Sequence, residues 1–157
     1  MHPRLLVPGD ESLLRAARLR ALADAPDAFG SRLDREQAHD DARWAELLAW
    51  GRWWVLLHDG VPAGLVAVVT DQGRPADQRH LVSMWVAPEQ RGTAVARALV
   101  GAACAGALEA GAGYLSLWVV DTNARARAFY AREGFADTGE RAVPHPGVTE
   151  LRLLRAL

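Results

Sequence analysis

The fold is decided by one stretch, Trp85-Val86-Ala87-Pro88-Glu89-Gln90-Arg91-Gly92-Thr93-Ala94-Val95-Ala96-Arg97. The pattern predicts the end of a buried strand, a short loop, and a helix that begins near Gly92 with small residues. The first N–H groups of a helix have no internal partner and lie at the positive end of the helix dipole. They are therefore a natural site for phosphate groups, and two arginines in the stretch can add positive charge. Taken alone, the pattern is equally consistent with tight packing of a helix on a sheet.

A second stretch follows, in which a predicted strand at residues 114–120 leads into a predicted helix at residues 122–132. Asn123 and Tyr130 are seven residues apart, which is two helical turns, so they lie on one face. Ligands of open α/β sheets bind at the carboxyl ends of strands, and this helix begins at such an end. The spacing therefore favours a ligand-binding role for this face.

Around these stretches the chain predicts a mixed α/β sheet, mostly antiparallel, with helices on both faces. The strand–helix–strand unit in the middle requires a parallel pair, the strands at residues 79–87 and 114–120. The absence of repeats and linkers predicts a single domain over residues 1–157. The remaining predicted strands are residues 4–7, 53–58, 61–70, 135–142 and 148–154. The first predicted helix is capped by Asp10 or Ser12 and ends near Ala23. The other predicted helices are residues 34–49 and 92–110.

Composition excludes several classes of function. The net charge is -1, and all 18 basic residues are Arg, so we expect no general attraction to nucleic acid or membrane. A chain without lysine cannot hold the lysine of a nucleotide-binding P-loop. Cys104 is the only cysteine and the five histidines are scattered, so no metal site is expected. With no secretory signal and no apolar run of ~20 residues, we expect a soluble cytoplasmic protein.

The two stretches together resemble a known family. Val-Ala-Pro-x-x-Arg-Gly-x-Ala-x-Ala, followed by Asn-x-x-Ala-Arg-x-Phe-Tyr-x-x-x-Gly-Phe, is similar to the motifs of the GNAT superfamily of acyl-CoA-dependent N-acyltransferases. The order of predicted elements on either side matches as well. The resemblance implies a central pair of parallel strands that splay apart to admit the cofactor.

The resemblance also implies roles for individual residues, with acetyl-CoA as the acyl donor. Asn123 matches a residue that contacts the cofactor arm, and Tyr130 matches the acid that protonates the leaving thiolate. Ala94 departs from the family pattern, which has glycine there, and this puts cofactor affinity in question rather than the binding mode. The main chain that binds the cofactor arm would be Met84, Trp85 and Val86, and the pyrophosphate would bind at Arg91, Gly92, Thr93, Ala94, Val95, Ala96 and Arg97.

The acceptor side and the general base are less determined by the sequence. Phe29 and Ser31 lie in a loop that borders the acceptor in this family, and Trp118 can line a pocket, although core filling is equally open for it. The strands at residues 81–86 and 114–120 contain no acid, so the base is left open between Glu36, Asp121 and a bound water. His80 is interpreted as a solvated strand end, and the Asp40-Asp41 pair as solvated charge.

The sequence therefore predicts an N-acetyltransferase that acts on a primary amine of a small molecule by direct attack in a ternary complex. Two alternatives stay open: a protein or peptide N-terminal acetyltransferase, and a non-catalytic acyl-CoA binding module. A homodimer that uses the last strand is consistent with the resemblance.

Overall fold

A computed structural model describes residues 1–29 and 31–157 of the chain. Its strands are ordered β1-β2-β3-β4-β5-β7-β6, and β4 and β5 run parallel. The predicted mixed α/β class is confirmed, since the sheet is mostly antiparallel with one parallel pair among the described residues. The elements are β1 Arg4–Leu5, α1 Glu11–Asp24, α2 Leu33–Gln37, α3 Asp41–Trp50, β2 Arg52–His58, β3 Val61–Thr70, β4 Gln78–Val86, a 3-10 helix Pro88–Gln90, α4 Val95–Glu109, β5 Tyr114–Val120, α5 Ala124–Arg132, β6 Ala136–His145 and β7 Val148–Ala156.

The chain divides into two compact units. The first unit contains Met1–Val69 and Val82–Ala103, and the second contains Thr70–Leu81 and Cys104–Leu157. Each unit is described separately below, and a single domain over residues 1–157 stays a prediction.

The first unit is built on the antiparallel pair β2 and β3, which β1 extends by two residues. Asp59 and Gly60 join the strands, both with positive φ of 51° and 79°. Those angles match the tight hairpin turn that Asp-Gly favours, so the predicted hairpin is confirmed. Helices α1 and α3 cover β2 through a core that contains Leu14, Ala17, Ala21, Trp44 and Trp53.

The second unit is built on β5 and β7, which pair antiparallel from Tyr114↔Ala156 to Val120↔Glu150. β6 pairs with β7 in turn. The parallel register of β4 with β5 covers three pairs, from Gln78↔Tyr114 to His80↔Ser116. The inward face of these strands is apolar and buried, and includes Leu115, Leu117, Val119, Leu151 and Leu153.

Several element boundaries differ from the predictions. One helix was predicted at residues 34–49, but the structure has two, α2 and α3. Asp40 lies between them and caps α3, because its side chain accepts a hydrogen bond from Arg43 N at 2.8 Å. Asp40 and Asp41 are both exposed, as expected for solvated charge, and Asp40 has the capping role in addition. Asp10 does not cap α1 with its side chain, and its carboxylate instead accepts hydrogen bonds from Val7 N and Arg4.

Within the described ranges, none of the helices combines the length and the apolar character needed to cross a membrane.

Candidate active site

The last part of β4, in the first unit, carries an unusual backbone. Ser83 has φ +56°, a left-handed conformation that is rare for residues other than glycine. One such residue inside a strand is typical of a bulge, which redirects the residues that follow, and on this angle we interpret Ser83 as a bulge of β4. Those residues are Met84, Trp85 and Val86, the predicted cofactor-binding main chain, and Ala87 N then bonds to Ala63 O at 2.9 Å.

The predicted phosphate site, residues 91–97, begins with a turn rather than with a helix. Gly92 has φ +78°, and α4 starts at Val95, so the helix start predicted near Gly92 was wrong by three residues. A side chain at Gly92 would be strained in this left-handed conformation. The glycine is therefore required to turn the chain from the 3-10 helix into α4, in addition to its small size.

The first turn of α4 has the properties of an anion site. Ala98 N bonds to Ala94 O at 2.9 Å, so the N–H groups of the three preceding residues belong to the first turn. Thr93 Oγ1 accepts a hydrogen bond from Val95 N at 3.3 Å and donates one to Gln90 O at 2.6 Å. Thr93 and Ala94 are exposed, which leaves the start of the helix open to solvent on that side. The turn at Gly92 and the open helix start fit a pyrophosphate bound through main-chain N–H groups.

Gly64 in β3 lies against the buried side of α4, and it belongs to none of the motifs identified in the sequence. A Cβ atom at Gly64 would lie 2.6 Å from Leu99 Cδ1 and 3.1 Å from Val95 Cγ1. Both residues are buried in α4, so the missing side chain permits close approach of the first turns of α4 to β3. The signal in the sequence was an isolated glycine within a strand pattern, which indicates close approach of another element.

Arg91 makes hydrogen bonds within the first unit, and its side chain is 44% exposed, so its predicted phosphate role stays a prediction. Its NH2 group donates to Asp24 Oδ2 and its Nε donates to Val86 O at 3.1 Å. Trp85 Nε1 donates to the same Asp24 oxygen at 2.8 Å. Asp24, at the end of α1, therefore ties the end of β4 to the start of the predicted phosphate site, and no sequence motif indicated it.

The predicted acceptor residues Phe29 and Ser31 are both partly buried in the first unit, and Gly30 between them lies outside the described residues. Arg18 Cζ lies 5.1 Å from the centroid of the Phe29 ring. Glu36, one of the candidate bases, is 2% exposed and accepts hydrogen bonds from Arg18 at both carboxylate oxygens.

The environment of Glu36 argues against a role as the base. Burial alone would raise its pKa, but hydrogen bonds from Arg18 and Ser31 outweigh burial and lower the pKa below its usual value. A carboxylate with both oxygens bonded and a lowered pKa is a poor proton acceptor. The candidate base Asp121 lies in the second unit, partly buried, and its main-chain oxygen accepts from Arg127 at 3.0 Å.

Helix α5 of the second unit holds the two predicted residues Asn123 and Tyr130. Asn123 caps the helix, since its Oδ1 accepts a hydrogen bond from Ala126 N at 3.1 Å. Tyr130 is buried against Phe129 and Phe135, at ring-centroid distances of 5.2 and 5.6 Å. Burial raises the pKa of Tyr130 to about 12, so the phenol keeps its proton at neutral pH. The predicted roles of both residues stay predictions.

His80 in the second unit is not a solvated strand end, because its side chain is 13% exposed. Its Nδ1 lies 2.8 Å from Ser116 Oγ, and Ser116 Oγ donates to Arg79 O at 3.3 Å. Burial lowers the pKa of His80, although the Asp71 carboxylate, 3.7 Å from Nδ1, acts in the opposite direction. Trp118 is partly buried and pairs in register with Arg152.

Among residues 1–29 and 31–157, no three His, Cys, Asp or Glu side chains are grouped so that they could hold a metal ion.

Proteins of known family resemble most of this chain. A family model described as the acetyltransferase (GNAT) family matches residues 19–135. An uncharacterised N-acetyltransferase of Mycobacterium tuberculosis is 32% identical over 142 residues, which cover 87% of this chain and 88% of the relative. The solved structure of nourseothricin acetyltransferase is 32% identical with a TM-score of 0.60, over 68% of this chain and 65% of that one. The ribosomal-protein-alanine N-acetyltransferase of Brucella melitensis has a TM-score of 0.75 over 100% of both chains, at 19% identity.

Proposed function

Because the chain belongs to the GNAT acetyltransferase family and is an acyl-CoA-dependent acyltransferase, we propose that it acetylates a primary amine of a small molecule. The amine attacks directly in a ternary complex with acetyl-CoA. The family acts on amine acceptors with acetyl-CoA as co-substrate.

One observation carries the acceptor class. Nourseothricin acetyltransferase, which acts on a small molecule, shares 32% of its residues with this chain over the aligned part. The likeness to the ribosomal-protein-alanine enzyme, at 19% identity, is a likeness of fold alone. Sequence likeness at the higher level therefore favours a small-molecule acceptor over a protein terminus.

The residues of this chain would act mainly through position and hydrogen bonding. Acetyl-CoA, when bound, supplies an acetyl thioester. The main-chain N–H groups near Met84 to Val86 would donate to the acetyl carbonyl and stabilise the negative charge that develops on it. Tyr130 would hold a proton on its phenolic oxygen for the leaving thiolate, in a dry environment that also raises the proton affinity of that thiolate.

No strong base is required if the amine arrives in its neutral form. Glu36 is a poor general base, because its carboxylate already accepts hydrogen bonds from Arg18 and Ser31. Loss of the amine proton to water before attack would then set the acid side of the pH dependence of turnover.

The acceptor class is tested by measuring the release of coenzyme A thiol from acetyl-CoA with two panels of acceptors. One panel contains small primary amines and the other contains peptides with free N-termini. We expect turnover with members of the first panel and background rates with the second. Turnover confined to peptides would contradict the proposed acceptor class, and binding of acetyl-CoA without any turnover would contradict the catalytic role.

The role of Tyr130 is tested in the same assay with Tyr130→Phe. Turnover should fall by about 100-fold, a typical contribution of a general acid, while the Kd for acetyl-CoA changes by less than about threefold. The control is Tyr114→Phe, at the exposed start of β5, which should turn over like the wild type. Equal turnover of Tyr130→Phe and the wild type would remove Tyr130 from the acid role.

A further inference from the structure

A buried ion pair lies beside β4 in the first unit. Arg18 of α1 is 8% exposed and Glu36 of α2 is 2% exposed. The guanidinium meets the carboxylate as a fork, with Nε to Oε1 at 2.7 Å and NH2 to Oε2 at 3.0 Å. Such a two-point contact fixes the plane and the direction of both groups.

The third nitrogen of the Arg18 guanidinium, NH1, bonds to the bulge of β4. Arg18 NH1 donates to Ser83 Oγ at 2.7 Å, and Ser83 is the residue with φ +56°. A left-handed conformation is unfavourable for serine, because its Cβ comes too close to the following carbonyl oxygen. A short, charge-assisted hydrogen bond from a buried guanidinium offsets that cost at this position.

The same ion pair also contacts the predicted acceptor loop. Ser31 donates a hydrogen bond to Glu36, and the Arg18 guanidinium lies over the Phe29 ring. Arg18 therefore holds, through direct bonds or one intermediary, both the bulge that precedes Met84 and the loop that carries Phe29 and Ser31.

Stability alone does not account for this pair. Removing two charges from water has a large cost in free energy, and apolar residues of similar volume often stabilise a protein as well or better. Unlike apolar packing, a buried guanidinium fixes the direction of each of its hydrogen-bond partners.

We propose that Arg18 is a positioning residue for acetyl transfer, which holds the Ser83 bulge so that the main chain at Met84 to Val86 is aimed at acetyl-CoA. Glu36 neutralises Arg18 and fixes its orientation. This inference rests on the proposed acetyl-CoA site and does not depend on the identity of the amine.

The test measures acetyl-CoA binding by calorimetry in variants that retain the fold. Arg18→Met with Glu36→Leu replaces the ion pair by an apolar pair, and we expect thermal stability close to that of the wild type but an acetyl-CoA Kd at least tenfold weaker. Adding Ser83→Gly should restore the Kd to within about threefold of the wild type, because glycine adopts positive φ without the bond from Arg18. The control is Arg43→Met with Glu46→Leu, an exposed pair on α3, which should bind like the wild type.

Two results would overturn the proposal: wild-type affinity in the Arg18→Met, Glu36→Leu variant, or no recovery when Ser83→Gly is added. If the double variant does not fold, Ser83→Ala and Ser83→Gly are compared, since alanine is strained at this φ and glycine is not. We then expect the Kd of the alanine variant to be at least fivefold weaker, and equal values would overturn the proposal. An amine panel without turnover would contradict the acceptor class but not this inference, whereas a wild type that does not bind acetyl-CoA would remove both.

Discussion

Arg18 in the first unit and Arg152 in the second are both buried, at 8% and 4% exposure, but their surroundings differ. Arg18 has one dedicated carboxylate at 2.7 and 3.0 Å, and that carboxylate is itself buried. The Arg152 side chain donates a hydrogen bond from NH2 to Gln78 Oε1 at 2.8 Å, and its guanidinium lies 3.7 Å from the carboxylates of Asp71 and Glu140. Its Nε has no hydrogen-bond partner in the described part of the chain.

The difference shows two ways to keep a charge in a protein interior. The first unit pairs the charge tightly, so that the geometry of several segments depends on one contact. The second unit distributes the charge over acids whose side chains are 23% and 41% exposed and which Arg74 also contacts. Burial in this unit also lowers the pKa of His80 and raises the pKa of Tyr130, which favours the uncharged form of each. Substitutions in the two units should therefore change the free energy of unfolding by different amounts and with a different dependence on pH.

The largest effect should come from breaking the tight pair on one side only. Glu36→Gln leaves the Arg18 charge buried without a counterion, which should lower the free energy of unfolding by about 3 kcal/mol. Urea denaturation at neutral pH measures this value. Glu46→Gln, which removes the partner of Arg43 from an exposed pair, should change it by less than about 0.5 kcal/mol. A loss below about 1 kcal/mol for Glu36→Gln would mean that the two arginines are held alike.

A loss of similar size should appear in the second unit only at alkaline pH. The folded pKa of Tyr130, about 12, lies above the ordinary value near 10, so the folded state retains the proton longer than the unfolded state. Its contribution is fully present below pH 10 and is lost as pH rises to 12, by about 3 kcal/mol. The measurement is the difference between the urea stabilities of the wild type and Tyr130→Phe across this range. Parallel curves would show that Tyr130 is not buried in solution.

A smaller effect should appear on the acid side, through His80. Its folded pKa is lowered by burial, so the unfolded state takes up a proton first as the pH falls below about 6.5. Stability from the neutral His80 is present above that pH and declines below it. His80→Asn should flatten the dependence of stability on pH between 7 and 5, whereas His145→Asn, at an exposed site, should leave it as in the wild type. An unchanged slope in His80→Asn would contradict the buried environment.

The smallest effect should come from Arg152→Met. The variant removes an arginine with an unsatisfied Nε, while Asp71 and Glu140 keep their contacts with Arg74. We expect the free energy of unfolding to change by less than about 1 kcal/mol in either direction. A loss of 3 kcal/mol, equal to that of Glu36→Gln, would mean that the distributed arrangement is as demanding as the fork.

Local patterns in the sequence predicted most of the helices and strands. The bounds of β3 and β5 match the predictions, since alternating and apolar runs between turn residues are local signals. The hairpin at Asp59-Gly60 is likewise a property of two adjacent residues. The same local reasoning missed the division into α2 and α3, although Asp40 stood at a position where a capping aspartate begins a helix.

Contacts between distant residues could not be predicted from one sequence. The bonds of Arg91 to Asp24 and of Arg18 to Glu36 and Ser83 join residues 67, 18 and 65 positions apart. Charge pairing has no sequence period, because any of 18 basic residues can meet any of 19 acidic ones once the chain is folded. The left-handed conformation of Ser83 could not be predicted from the sequence either, since serine does not favour that conformation.

Gly64 and Ala94 lie on opposite sides of the start of α4, and they differ in how much random variation each can accept. Ala94 is exposed and already carries one methyl group more than the family pattern, whereas the first added carbon at Gly64 would meet Leu99 at 2.6 Å. In a library of single substitutions screened for folded protein, variants at position 94 should thus be recovered far more often than variants at position 64. A screen for folded protein would therefore select on the buried side of this helix, whereas a screen for acetyl-CoA binding would also select on the exposed side.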